Sequence, residues 1–120
     1  MAKLGIKRIY EPALPGDGCR VLVDRLWPRG LSRDAAAIDH WFKEIGPSNE
    51  LRTWFGHRPE RWDEFSRRYR AELAGEVVAP FVRELAALAR KGSLTLLYSA
   101  RDEAHNQAVV LAEVIRAKLP

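Results

Sequence analysis

The stretch that most restricts the fold is residues 19–26, CRVLVDRL, in which Val21, Leu22 and Val23 stand in succession. Neighbouring side chains of a strand point to opposite faces, so three apolar residues in a row need cover on both sides. Such a strand belongs in a largely parallel sheet with helices layered against it. Pro28 and Gly30 stop it, and a dense polar cluster lies at the stop: DRLWPRG, residues 24–30.

The run LTLLY at residues 94–98 has the same buried character. Residues 5–10, GIKRIY, alternate and predict a further strand, and residues 12–18, PALPGDG, predict a loop. Ser32 caps a short helix over residues 33–37. Residues 38–45, IDHWFKEI, are expected as a strand before the Gly46-Pro47 break. Ser48 caps a short helix with Glu50 in its first turn and Leu51, Trp54 and Phe55 on one face. Trp62, Phe65, Tyr69 and Leu73 then recur at helical spacing behind Pro59, which suits a first turn. Gly75 ends that helix. The next runs through Val78, Phe81, Leu85 and Leu88 to Lys91, with Gly92 just past its end. A closing helix is expected over residues 103–118, with Ser99 and Asp102 at the spacing of a capping box. The pattern predicts one α/β domain over residues 1–120: a small, largely parallel sheet of about three to four strands, flanked by helices.

Hydrophobic residues make up 47% and charged residues 30%, which excludes a disordered chain. No apolar run approaches the roughly 18 residues that span a bilayer. The start, MAKLGIKRIYEP, has no apolar signal core, so no membrane partner is expected and the cytoplasm is the expected compartment. The single cysteine, Cys19, cannot form an internal disulfide and opens a buried strand, a poor place for a nucleophile. Lys and Arg outnumber Asp and Glu by 20 to 16, a net +4, and 15 of the 20 basic residues are Arg. An arginine excess also follows from high genomic GC content, which the many alanines fit. Only the positions of particular arginines therefore carry a functional argument.

In open α/β sheets, ligands collect beyond the carboxyl ends of the strands. After the first buried strand come Asp24, Arg25, Trp27 and Arg29, and after the second come Ser99, Arg101, Asp102, His105 and Asn106. If the two strands are parallel neighbours, both clusters meet on one rim. Arg25, Arg29 and Arg101 would hold an anion, since the guanidinium fork matches phosphate and carboxylate. Trp27 or Trp54 would wall it, and Asp102 and Asn106 would line it. His57, in a Gly-His-Arg-Pro loop, or His105 would move a proton if chemistry occurs, with Asp24 or Asp102 orienting an Arg or His. The plainer alternatives are salt-bridged loops around Asp24 and Asp102, a tryptophan core plug and a helix cap. No metal is expected: His40, His57 and His105 lack a ligand spacing and have no cysteine partners. Neither a phosphate-binding glycine loop nor a G-x-S-x-G elbow is present, and no cofactor is expected.

Two rivals stand beside a small anionic ligand such as a nucleotide or phosphorylated metabolite. Residues 58–70, RPERWDEFSRRYR, offer Arg58, Arg61, Arg67, Arg68 and Arg70 to nucleic acid along the helix over residues 59–73. Glu60, Asp63 and Glu64 among them favour a solvated helix instead. The other rival is a non-catalytic interaction protein or stress adaptor whose tryptophans contact a partner. The oligomeric state is open.

The segments RIYEP, GCRVLVDRLWPRGLS, WFKEIGPSNELRTWFGH, PERWDEFSRRYRAEL and LTLLYSARDEAHNQAVVL together resemble the bacterial domain-of-unknown-function family 488, and within it the short YeaO-like group. The resemblance runs from Arg8 to about Ile115. It implies a cytoplasmic α/β protein and supplies no mechanism. Longer relatives carry a cysteine at the strand end and a Cys-His-Arg run opening the last helix. Here residues 98–106 have Tyr98 and Ser99 at that strand end and keep only His105 of the run, so thiol or metal chemistry is not carried over.

Overall fold

In the computed structural model, which describes residues 3–120, the Val-Leu-Val run enters the interior of a four-stranded parallel sheet. The strands are β1 (Leu4–Arg8), β2 (Cys19–Leu22), β3 (His40–Trp41) and β4 (Leu94–Tyr98), in the order β1-β4-β2-β3. Leu4 to Arg8 pair with Leu94 to Tyr98, and Cys19 to Leu22 pair with Leu94 to Leu97. The two apolar runs of the sequence are therefore parallel neighbours in register.

Side-chain alternation divides the core. Val21, Val23, Leu94, Leu96 and Tyr98 face a large cluster completed by α2 (Asn49–Phe55), α3 (Trp62–Ala74), α4 (Ala79–Lys91) and α5 (Gln107–Arg116). Leu22 and Leu97 face a smaller cluster with Ile9 and Ala36 of α1 (Arg33–Ala36), walled by Trp27, Leu31, Ile38 and Trp41. Of the predicted stripe, Phe65, Tyr69 and Leu73 are buried along α3 and Trp62 is partly buried against them. Each such side chain contributes about 1.5–3 kcal/mol through its removal from water.

Three boundaries differ from the sequence reading by four residues or more. The expected strand over residues 19–26 ends at Leu22. One more ladder bond follows, from Val23 N–H to Leu97 O at 3.0 Å, and Asp24 then turns its carboxylate to Ser99. The expected strand over residues 38–45 shrinks to His40–Trp41 and a 3-10 turn at Lys43–Ile45. As an edge strand it pairs only with β2, and once Phe42 N–H has bonded to Leu22 O (2.9 Å) the partner strand has ended. The closing helix starts at Gln107, not at 103, because Asn106 caps it.

The strand order explains where the layers lie. From β2 the chain moves outward to β3 through α1, and from β3 it moves back inward to β4 through α2, α3 and α4. Right-handed crossovers that run in opposite directions must pass over opposite faces. So α1 covers one face and α2, α3 and α4 the other, where α5 packs beside them after β4, and a crevice opens between the two strand ends. Gly18 makes the entry to β2: its φ is +65°, and a Cβ there would sit 2.3 Å from Ser93 O. Among the described residues no helix is long and apolar enough to cross a membrane.

Candidate functional site

The crevice is a cleft of 1010 Å³ that brings both strand-end clusters together. Asp24, Arg25, Trp27 and Arg29 line it from the β2 side, and Ser99, Arg101, Asp102, His105 and Asn106 from the β4 side. Arg8, Tyr10, Arg52, Phe55, His57 and Phe65 also line it. Of the residues singled out in the sequence, Trp54 is the one left out. The register of α2 sends Phe55 to the core and cleft, while Trp54 lies against α3 between the guanidiniums of Arg61 (5.0 Å) and Arg68 (4.5 Å).

At the floor lies Asp24, 9% exposed. One carboxylate oxygen accepts from the Ser99 backbone N–H at 3.0 Å and from the Ser99 hydroxyl, and the other accepts from the Gln107 side-chain amide. No cation pairs with it among the described residues. Burial pushes its pKa up, and the bonds from Ser99 and Gln107 oppose that shift.

Arg25 is tied to backbone at the edge of the cleft. Its Nε donates to Pro47 O at 2.9 Å and an Nη to Gly46 O at 2.8 Å. A side chain at position 46 would meet Arg25 N at 2.9 Å, so glycine permits this close approach. Arg8 likewise donates to Ala100 O (2.9 Å) and Ser99 O (3.0 Å). Carbonyls satisfy these donors without neutralising their charge. The guanidiniums of Arg29 and Arg101 have no hydrogen-bond or ion-pair partner among the described residues, and both residues are exposed.

Trp27 is a plug with a polar tip. Its indole N–H donates to Leu31 O at 2.6 Å and its ring meets Trp41 edge to face at 5.3 Å. Asn106 is 2% exposed. Its carbonyl oxygen accepts from Ala108 and Val109 N–H, and its amide donates to Asp102 O. It caps α5 through these backbone bonds and lines the cleft.

Asp102 and His105 form a pair. The Asp102 carboxylate accepts from Ala104 and His105 N–H and lies 2.9 Å from His105 Nδ1. The His105 bond, helped by the Ala104 N–H, holds the Asp102 carboxyl below the usual carboxylate range. The imidazole also meets the Trp62 ring edge to face at 5.2 Å, which fixes its plane. His57 reaches the cleft through a tight corner: Gly56 and His57 both adopt left-handed backbone, φ 53° and 57°.

Sequence reasoning missed Arg8, Tyr10, Arg52 and Gln107. Arg8 ends β1 and Tyr10 follows it, and the reading placed no cluster there. Gln107 had a signal, one residue beyond Asn106 in the second polar cluster, but only the β2–β4 register brings it to Asp24.

Fold and site together define a small parallel α/β protein with a cationic cleft at the exits of its central strands. The chain belongs to the family described as "Inactive DUF488-N3 subclade", whose family model matches residues 3–120. It is 47% identical over 111 residues to the uncharacterized protein YeaO of Escherichia coli, covering 92% of this chain and 95% of that one. It is 39% identical over 116 residues to the uncharacterized proteins Mb3100c of Mycobacterium bovis and Rv3073c of Mycobacterium tuberculosis, covering 97% of this chain and 96% of each. No solved structure matches.

Proposed function

We propose that this chain binds a small anionic ligand in the cleft beyond β2 and β4, with Arg29 and Arg101 as its direct contacts. One observation carries the reading. Five arginines line the cleft (Arg8, Arg25, Arg29, Arg52 and Arg101) and none has a carboxylate partner among the described residues. On the arginine-rich stretch four of the five arginines have one. Arg58 pairs with Glu60, Arg67 and Arg68 with Glu64, and Arg70 with Glu113. Most arginines of that stretch have an acidic partner and those of the cleft have none, which favours an anion in the cleft over nucleic acid on the helix. The adaptor reading has less support, since no tryptophan is among the exposed large apolar residues.

The family description, "inactive", supports binding without turnover. The Asp102–His105 pair favours a second reading, in which His105 exchanges a proton with the ligand while Asp102 orients the ring.

Isothermal titration calorimetry with pyrophosphate at low ionic strength tests the main reading. Wild-type protein binds, and Arg29→Ala and Arg101→Ala each weaken binding by about tenfold or more, the effect of losing a charged hydrogen bond. Absence of binding, or both variants binding as wild type does, rejects it.

A further inference from the structure

Asp24 poses a problem that anion binding leaves unsolved. A carboxylate at the floor of an anion cleft repels the ligand, and a buried carboxylate without a cation is costly. Its own hydrogen bonds do not account for its chemistry. Two carboxylate oxygens offer about four acceptor sites, and Ser99 and Gln107 supply three donors. The oxygen facing Gln107 has one donor and keeps acceptor capacity, and Asp24 lines the cleft.

The cleft is also large for a bare oxyanion. Its 1010 Å³ is at the upper end of the usual range for small-molecule sites, and Tyr10, Trp27, Phe55 and Phe65 give it apolar wall for a carbon skeleton. A ligand group that fills the remaining acceptor site of the Asp24 carboxylate donates a hydrogen bond. An ammonium would do so, but five unneutralised guanidiniums repel it. A hydroxyl carries no charge, and because it both donates and accepts it suits Asp24 in either protonation state.

We infer that the ligand is a hydroxyl-bearing phosphate monoester, of the sugar-phosphate or nucleotide class, with its phosphate at Arg29 and Arg101 and a hydroxyl donating to Asp24. The inference rests on the anion-binding reading and names the ligand class for the same cleft. Asp24 is then the specificity-determining residue, and the arginines supply affinity common to all phosphates.

Calorimetry on the wild-type protein compares ribose 5-phosphate and glycerol phosphate with methyl phosphate. The hydroxylated monoesters bind about tenfold more tightly, the effect of one hydrogen bond to a charged group. Equal affinities overturn the hydroxyl contact while anion binding stands, and absence of binding by all three overturns the parent reading and the inference with it. Asp24→Asn, checked for folding by circular dichroism, loses the tenfold preference for the hydroxylated monoesters over methyl phosphate. A folded variant that keeps the preference overturns the assignment to Asp24. The ligand comparison needs no substitution, so the inference stays testable even if the variant does not fold.

Discussion

Two buried aspartates have opposite environments. Asp17 accepts from Leu14 N–H and lies 3.1 Å from Lys7 Nζ and 2.6 Å from an Arg20 Nη, with both cations largely buried. The Leu14 N–H, with Lys7 and Arg20, holds its pKa below the usual carboxylate value. Asp24 has no cation, and burial raises its pKa. The two therefore act on stability with opposite sign. The contribution of Asp17 is complete above the unfolded carboxylate pKa and is lost as pH falls through its lower folded value. The contribution of Asp24 is present at low pH and is lost as pH rises through its raised folded value. Asp17→Asn leaves Lys7 and Arg20 uncompensated and costs about 3 kcal/mol at pH 7. The gap to wild type narrows below about pH 4. Urea unfolding at pH 7 and pH 3 checks this, and an equal gap at both pH values contradicts it.

At the scale of elements, α5 depends on its cap. Asn106 satisfies two backbone N–H groups and holds Asp102 O while almost wholly buried. Asn106→Ala is expected to cost about 1–2 kcal/mol in urea unfolding, and Asn106→Asp, which keeps the acceptor, to cost less. Equal losses would mean that the bond to Asp102 O, not the cap, is what matters. Reading the sequence placed this helix start four residues early, and the cause is tertiary. Ser99 and Asp102 had the spacing of a cap, but β4 carries Ser99 into contact with Asp24, and Asp102 closes a local turn on Ala104 and His105. The long amphipathic helices were legible because their stripes do not depend on distant partners. The edge strand β3 was overextended because its length is set by β2.

At the scale of the molecule, the sequence predicted the parallel α/β class and identified two polar strand exits, but it did not show that the exits are adjacent. Adjacency depends on strand order, and β4 comes between two strands that are consecutive in sequence. The distribution of charge was equally hidden, since nothing in the count of 15 arginines marks which have acidic partners. That distribution gives a prediction. Arg67→Ala combined with Arg70→Ala removes two exposed ion pairs of α3, worth about 0–1 kcal/mol each. Pyrophosphate affinity should stay within about twofold of wild type in calorimetry. A tenfold loss would move the anion site to the helix.

The order β1-β4-β2-β3 also constrains when the chain can fold. β1 pairs only with β4, whose first residue follows the end of β1 by more than eighty positions, and before β4 arrives β2 has only the two-residue β3 beside it. A nascent chain halted at Ser93 would hold two strands without their central partner and a helical layer without most of the sheet it covers. Closing so long a loop is slow. The ribosome therefore presents this protein as an open substrate for chaperones and proteases until its last quarter emerges, when one five-residue strand completes the sheet and the cleft together.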